Sequence, residues 1–165
     1  MFLGSFEHQV DQKGRMRLPA SFRSEMKGDD IVAVQGANRA IYIYSTADLN
    51  EEQYNKYKNE LSEYEKVGFA DSDKTHGMVM RLISASAHKI SEDNQGRFTL
   101  TQRLRAFANI RKDIVFIGSG KRIELWDKEN WENYSNCNDE DFDSLLLKLT
   151  PKKKGDSDGD GSIQS

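Results

Sequence analysis

Five residues occur twice in this chain: Asp11-Gln12-Lys13-Gly14-Arg15 and Asp93-Asn94-Gln95-Gly96-Arg97. Both read D-x-x-G-R, and the second copy lies 82 residues after the first. A repeat constrains a fold more than any local propensity, because it sets the architecture before single elements are assigned. The likeness runs on past the motif. Met16, Leu18, Phe22 and Arg23 are answered at the same offset by Phe98, Leu100, Leu104 and Arg105. Ile31-Val32-Ala33-Val34 is answered by Ile114-Val115-Phe116-Ile117, one residue out of step, and Ile41-Tyr42-Ile43-Tyr44 by Ile123-Glu124-Leu125-Trp126, back in step.

Each copy reads as the same run of elements. An extended stretch (4–9, then 87–90) leads into the D-x-x-G-R turn. There Gly14 and Gly96 suit positive φ, and Asp11 and Asp93 can bond backbone N–H groups two residues on. A short alternating strand follows at 16–18 and 97–100. Then comes a small helix, with Phe22 and Met26, or Leu104, Phe107 and Ala108, on its inner face. Pro19 fits the first position of one helix and Thr101 the cap of the other. A hairpin completes each copy, 31–35 with 40–44 across Gly36-Ala37-Asn38-Arg39, and 113–118 with 121–126 across Ser119-Gly120. One copy buries little alone, which predicts that both pair into a single pseudo-twofold β-core presenting Arg15 and Arg97 at equivalent points.

The intervening residues predict a helical hairpin. Tyr54, Tyr57, Leu61 and Tyr64 recur at coiled-coil spacing, Val67-Gly68-Phe69 breaks the pattern, and 73–86 resumes it with Val79, Leu82, Ile83 and Ser86 on one face. The tyrosines are read as packing, as are Trp126 and Trp131. Short helices are expected over 127–134 and 140–149. The chain thus divides into a first repeat (4–47), a helical insert (48–86), a second repeat (87–130), C-terminal helices (131–149) and a polar tail (150–165) with too little apolar content to fold.

The formal net charge of −3 conceals where the charge sits. Residues 11–27 carry +3 and residues 89–112 carry +4, whereas 46–76 carry −4 and 138–165 carry −3. The basic excess falls on both motifs, a sign that belongs with a polyanionic partner. The basic set is Lys13, Arg15, Arg17 and Arg23, echoed by Arg97, Arg103 and Arg105. Arg binds phosphate bidentately and reads guanine O6 and N7, and Gly14 admits close backbone approach. The competing reading is that Asp11 and Asp93 pair with Arg15 and Arg97 within each turn to hold the fold. A mixture is also open, with one Arg structural and its neighbours reading the partner.

Other chemistries find little footing. With a single cysteine, Cys137, no disulfide forms within the chain, which fits a reducing compartment. The first residues lack the basic and apolar regions of a signal peptide, and no apolar run approaches the roughly 20 residues of a membrane helix. The expected location is the cytoplasm. Asp156-Ser157-Asp158-Gly159-Asp160-Gly161 matches the opening of an EF-hand loop, but the chain ends at Ser165, before the bidentate Glu. His8, His76 and His88 have no second ligand at metal-binding spacing. No nucleophile elbow, P-loop or dinucleotide fingerprint occurs. The reading is of a protein that is not an enzyme, with no cofactor, metal or small-molecule substrate.

These residues resemble one known family. Met1-Phe2-Leu3-Gly4 followed by Asp11-x-Lys13-Gly14-Arg15-x-x-x-Pro19-x-x-Phe22-Arg23, and Asp93-x-x-Gly96-Arg97 leading to Glu124-Leu125-Trp126-Asp127, are similar to MraZ, a bacterial regulator associated with the division and cell-wall gene cluster. The resemblance spans about residues 1–131. It implies an α+β fold of the AbrB-like swapped-hairpin barrel type, with two half-units in one chain. It also implies a ring-like homo-oligomer, nucleoid-associated, that binds repeated promoter elements on double-stranded DNA and represses its own operon. Carried over by position, Asp11 and Arg15 form the first motif and Asp93 and Arg97 the second. With them, Lys13, Arg15, Arg17, Arg97 and Arg103 become the expected DNA contacts, while Asp11, Gly14, Asp93 and Gly96 shape the turns. The second copy departs from the first in having Gln95 for Lys13 and Thr101 for Pro19, which makes its turn less basic. The other reading is a protein-binding module, such as an antitoxin of the same fold type or an oligomeric scaffold. The doubled motif and a tail poor in apolar anchors disfavour it.

Overall fold

The alternating apolar runs of both repeats form strands in the computed structural model, which describes residues 1–26, 28, 30–47, 74–136 and 141–149. The strands are β1 (Phe2–Gln9), β2 (Arg15–Arg17), β3 (Ile31–Gln35), β4 (Ile41–Ser45), β5 (His88–Ile90), β6 (Arg97–Thr99), β7 (Asp113–Gly120) and β8 (Arg122–Asp127). The helices are α1 (Ala20–Glu25), α2 (Lys74–Ser86), α3 (Gln102–Phe107), α4 (Lys128–Asn136) and α5 (Phe142–Leu149). The architecture is mixed α+β. Six strands form one sheet in the order β1-β7-β8-β4-β3-β5, and β2 pairs with β6 apart from it. Every pairing is antiparallel.

The two copies are interleaved. The first strand of copy one, β1, pairs along its length with β7 of copy two, from Phe2↔Gly120 to Gln9↔Asp113. In return, β5 of copy two pairs with β3 of copy one. The register obeys the repeat. His8↔Ile114 is matched by Ile90↔Ile31, and Ile31↔Ser45 by Ile114↔Asp127. Where the copies meet, Met16 pairs with Phe98 and Tyr42 with Glu124, each residue facing its own repeat equivalent at the offset of 82. A pseudo-twofold axis therefore passes through these two pairs.

The side chains pointing inward build one core. Met16, Leu18, Phe22, Met26, Phe98, Leu100, Leu104, Ile114, Phe116 and Leu125 are all buried in it. Phe22 receives Phe2 and Phe6 edge-on at 5.7 and 5.0 Å between ring centroids, the arrangement the ring quadrupoles favour. Burying Phe2 and Phe22 contributes about 2–3 kcal/mol each relative to leaving them in water. On the opposite face of the sheet, Trp126 packs with Ala40 and Val115, and Trp131 of α4 meets it at 5.3 Å. Both tryptophans are thus packing residues, with Trp131 half-buried.

Element ends differ slightly from the sequence expectation. Pro19 precedes α1 with ψ 135°, so it stands at the helix boundary and not at the first helical position. Thr101 caps α3 as expected, its Oγ1 accepting the Leu104 N–H at 3.3 Å. Ser119 pairs with Arg122, which moves the second hairpin turn one residue on, to Gly120-Lys121. The helix expected from residue 127 begins at Lys128, because Asp127 closes β8 and its carboxylate accepts the Asn130 N–H. Of the expected helical hairpin, α2 is described. The tyrosine stripe at Tyr54, Tyr57 and Tyr64 lies outside the described residues, as does the tail from residue 150. The buried Ser86 at the end of α2 donates to Ile83 O and accepts the Gln35 N–H. The last described helix, α5, leaves Phe142, Leu147 and Leu149 at least 73% exposed. No helix among the described residues is long and apolar enough to cross a membrane.

Candidate nucleic-acid interface

Each D-x-x-G-R segment folds into the same hydrogen-bonded turn. Asp11 Oδ1 accepts the Lys13 and Arg15 backbone N–H groups at 2.9 and 2.8 Å, and Oδ2 takes Arg15 Nε at 2.6 Å. Asp93 does the same with Gln95 N, Arg97 N and Arg97 Nε at 2.8, 2.9 and 2.8 Å. The backbone closes around them, Gly14 N–H to Asp11 O and Gly96 N–H to Asp93 O. Gly14 and Gly96 sit at φ +78° and +71°, a left-handed conformation that side chains disfavour. The Arg15 backbone N–H, with the Lys13 N–H and the Arg15 side chain, holds the Asp11 carboxyl below its ordinary range. The Arg97 and Gln95 N–H groups and the Arg97 side chain do so for Asp93.

The intraturn pairing of Asp with Arg is therefore present in both copies. It engages Nε and leaves the terminal nitrogens of each guanidinium outside the pair. The side chains of Arg15 and Arg97 stay 30% and 26% exposed.

The turns lie at opposite ends of the two-stranded ribbon β2–β6. Met16 and Phe98 fill the inner face of the ribbon and are buried. Strand alternation puts Arg15, Arg17, Arg97 and Thr99 on the other face. Three of four outward positions thus carry a guanidinium. Arg17 is exposed and reaches the far turn, its Nη2 donating to Gln95 Oε1 at 3.3 Å. Lys13 stands exposed in the first turn. A two-stranded ribbon is narrow enough to enter a DNA major groove about 12 Å wide, and guanidinium groups suit both base edges and phosphates.

Arg103 is not brought to this ribbon by any contact among the described residues. Its Nη1 donates to the Ala85 carbonyl at 3.2 Å, at the end of α2. Two features went unread in the sequence. Glu92, just before the second turn, takes Arg23 Nε on both carboxylate oxygens at 3.2 and 3.1 Å. Arg111 reaches the buried Asp127 through Nε and Nη2 at 3.2 and 2.6 Å. The first was findable: Glu92 stands 82 residues after Val10, a carboxylate opposite an apolar residue directly before the matched motif. The EF-hand-like stretch and Cys137 lie outside the described residues. Among the described residues, no three or more His, Cys, Asp or Glu side chains gather as a metal site would require.

Comparison with known proteins covers both repeats. The family model described as "MraZ protein, putative antitoxin-like" matches residues 1–72 and 83–146. A protein of Thermoanaerobacter pseudethanolicus named Transcriptional regulator MraZ is 34% identical over 149 residues, 90% of this chain and 96% of its own length. Relatives of the same name from Clostridium tetani and Clavibacter michiganensis are 34% and 30% identical, over 91% and 92% of this chain and 97% and 98% of their own. A transcriptional regulator is not a class of enzyme.

Proposed function

The chain belongs to the MraZ family, and we propose that it is a sequence-specific regulator that grips double-stranded DNA with the β2–β6 ribbon. The observation that carries this reading is the ribbon itself, apolar on its inner face with Met16 and Phe98 and cationic on the other with Arg15, Arg17 and Arg97. Lys13 and Arg15 enter the groove or hold phosphates at one end of the ribbon, and Arg17 and Arg97 do so at the other. Arg103, held against Ala85, assists by orienting the flank. The exchange of β1 and β5 between the copies supports reading the core as an AbrB-like swapped-hairpin barrel.

One ribbon makes a small footprint, so affinity comes from several protomers on one duplex. Promoter elements spaced near one helical turn, about 10 bp, bring successive protomers to the same side. The exposed apolar residues of α5 favour contact between protomers and a ring-like homo-oligomer. By its family resemblance, the targets are repeated elements ahead of a division and cell-wall gene cluster that includes its own operon, where the protein acts as a repressor, cytoplasmic and nucleoid-associated.

Sedimentation velocity with a labelled duplex tests this reading. The chain is expected to bind its own upstream duplex in preference to a shuffled one, to add more than one protomer per duplex, and to weaken steeply as salt rises. Equal binding to both duplexes contradicts sequence-specific recognition, and no binding at low salt contradicts DNA recognition altogether.

A further inference from the structure

The two ends of the ribbon are related by the repeat but are not electrostatically equal. At the second end, Arg23 of α1 is neutralised by Glu92, and Arg97 by Asp93. The equivalents of Arg23 and Glu92 at the first end are Arg105 of α3 and Val10. A carboxylate is thus replaced by a valine that packs against the core. Among the described residues, Arg105 Nε is buried with no hydrogen-bond partner.

The guanidinium of Arg105 lies over the first turn. A Cβ added to Gly14 would meet its Nη1 at 3.0 Å, whereas one added to Gly96 would meet nothing within 4 Å. The first end therefore gathers Lys13, Arg15 and Arg105 around the Asp11 turn. The second end has Gln95 in place of Lys13. Arg17 adds one cation there and is tied to Gln95. Of the turn and ribbon cations and the equivalent pair Arg23 and Arg105, those with no carboxylate among the described residues are Lys13 and Arg105 at the first end and Arg17 at the second.

We infer that Arg105 reaches across the repeat to join Lys13 and Arg15 in one composite site for DNA backbone phosphate, and that Glu92 disables the equivalent site at the other end. Phosphate suits this site because it offers the anionic acceptor oxygens that the half-buried Arg105 guanidinium does not find among the described residues. A nominally symmetric ribbon then holds DNA tightly at one end and loosely at the other, which gives each protomer a direction on the duplex. This inference rests on the DNA-binding reading above.

The test is fluorescence anisotropy of the full chain on its own upstream duplex over a salt series, with thermal melts of every variant. Arg105→Gln is expected to weaken binding about three- to tenfold and to lower the salt slope by about 0.9, the signature of one lost phosphate contact. Arg23→Gln is expected to stay within about twofold of the parent, because Glu92 already holds that side chain. Glu92→Gln frees Arg23 and is expected to tighten binding about threefold, beyond the change given by the remote charge control Glu132→Gln. Equal losses for Arg105→Gln and Arg23→Gln overturn the inference while the parent still binds. So does a Glu92→Gln no different from Glu132→Gln. If Arg105→Gln fails to fold, the Arg23 and Glu92 variants decide alone. A parent that binds no duplex overturns the DNA-binding reading, and this inference with it.

Discussion

Phe98→Ala is expected to destabilise the chain by about 4 kcal/mol, the middle of the range for a buried aromatic truncated to a methyl group. Phe98 is 2% exposed and faces Met16, also 2% exposed, on the pseudo-twofold axis. Truncation opens a cavity where neither copy can close it alone, because β2 and β6 are each three residues long and only pair with one another. For a chain of this size the melting temperature should fall by about 10 °C. Thermal denaturation followed by circular dichroism reads the shift. A change below about 1 kcal/mol would mean that the ribbon does not join the copies, against the range for a packed core position.

Asp127→Ala is expected to cost about 2–3 kcal/mol, through the loss of charge-assisted hydrogen bonds and of a helix cap. The carboxylate is buried and accepts from Arg111 N, Nε and Nη2 and from Asn130 N. The cost stays below that of breaking a fully buried pair, because the Arg111 side chain is 56% exposed and rehydrates when its partner is removed. Burial alone would raise the Asp127 carboxyl, but the Arg111 guanidinium and the N–H groups of Asn130 and Arg111 outweigh it and hold the group below its ordinary range. Asp11 and Asp93 are shifted the same way. A carboxyl lowered in the folded state stabilises above its unfolded pKa, and that stability is lost as pH falls through the folded value. Melting temperature should therefore hold at neutral pH and drop once pH passes below about 4, with Asp127→Asn showing the shallower acid slope. Equal slopes in parent and variant would show that Asp127 contributes no linkage.

The doubled motif carried much of this fold in plain view. Its offset of 82 predicted a pseudo-twofold core, and the structure puts Met16 with Phe98 and Tyr42 with Glu124 on the axis, each facing its own equivalent. The helix faces were legible through their period, with Phe22, Leu104 and Ala108 buried. The exchange of β1 and β5 was not legible, because strands that pair with partners far away in sequence leave no local pattern. Element ends moved by a residue or two where a cap or pairing decides them, as at Asp127 and Ser119. Within the site, the spacing offered the Asp–Arg pairing as one of the competing readings, and the structure shows it in both turns. Arg105 over Gly14 does not follow from spacing, since it depends on α3 of one copy reaching the turn of the other. Arg103 shows the converse: it shares the basic stretch with Arg105 but packs toward Ala85, one helix face away.

Arg15 is the residue on which the account turns, because it closes the first turn through Nε and, in the proposed reading, offers its terminal nitrogens to DNA. The most direct measurement is the affinity of Arg15→Ala for the native upstream duplex at fixed salt, beside Arg97→Ala and with the fold of each confirmed by circular dichroism. The account predicts a loss of about tenfold or more for Arg15→Ala, amplified because every protomer on the duplex carries the change, and a smaller loss for Arg97→Ala. An Arg15→Ala protein that keeps its fold and binds the duplex as tightly as the parent would contradict it, and would leave Arg15 as a structural residue of the turn alone.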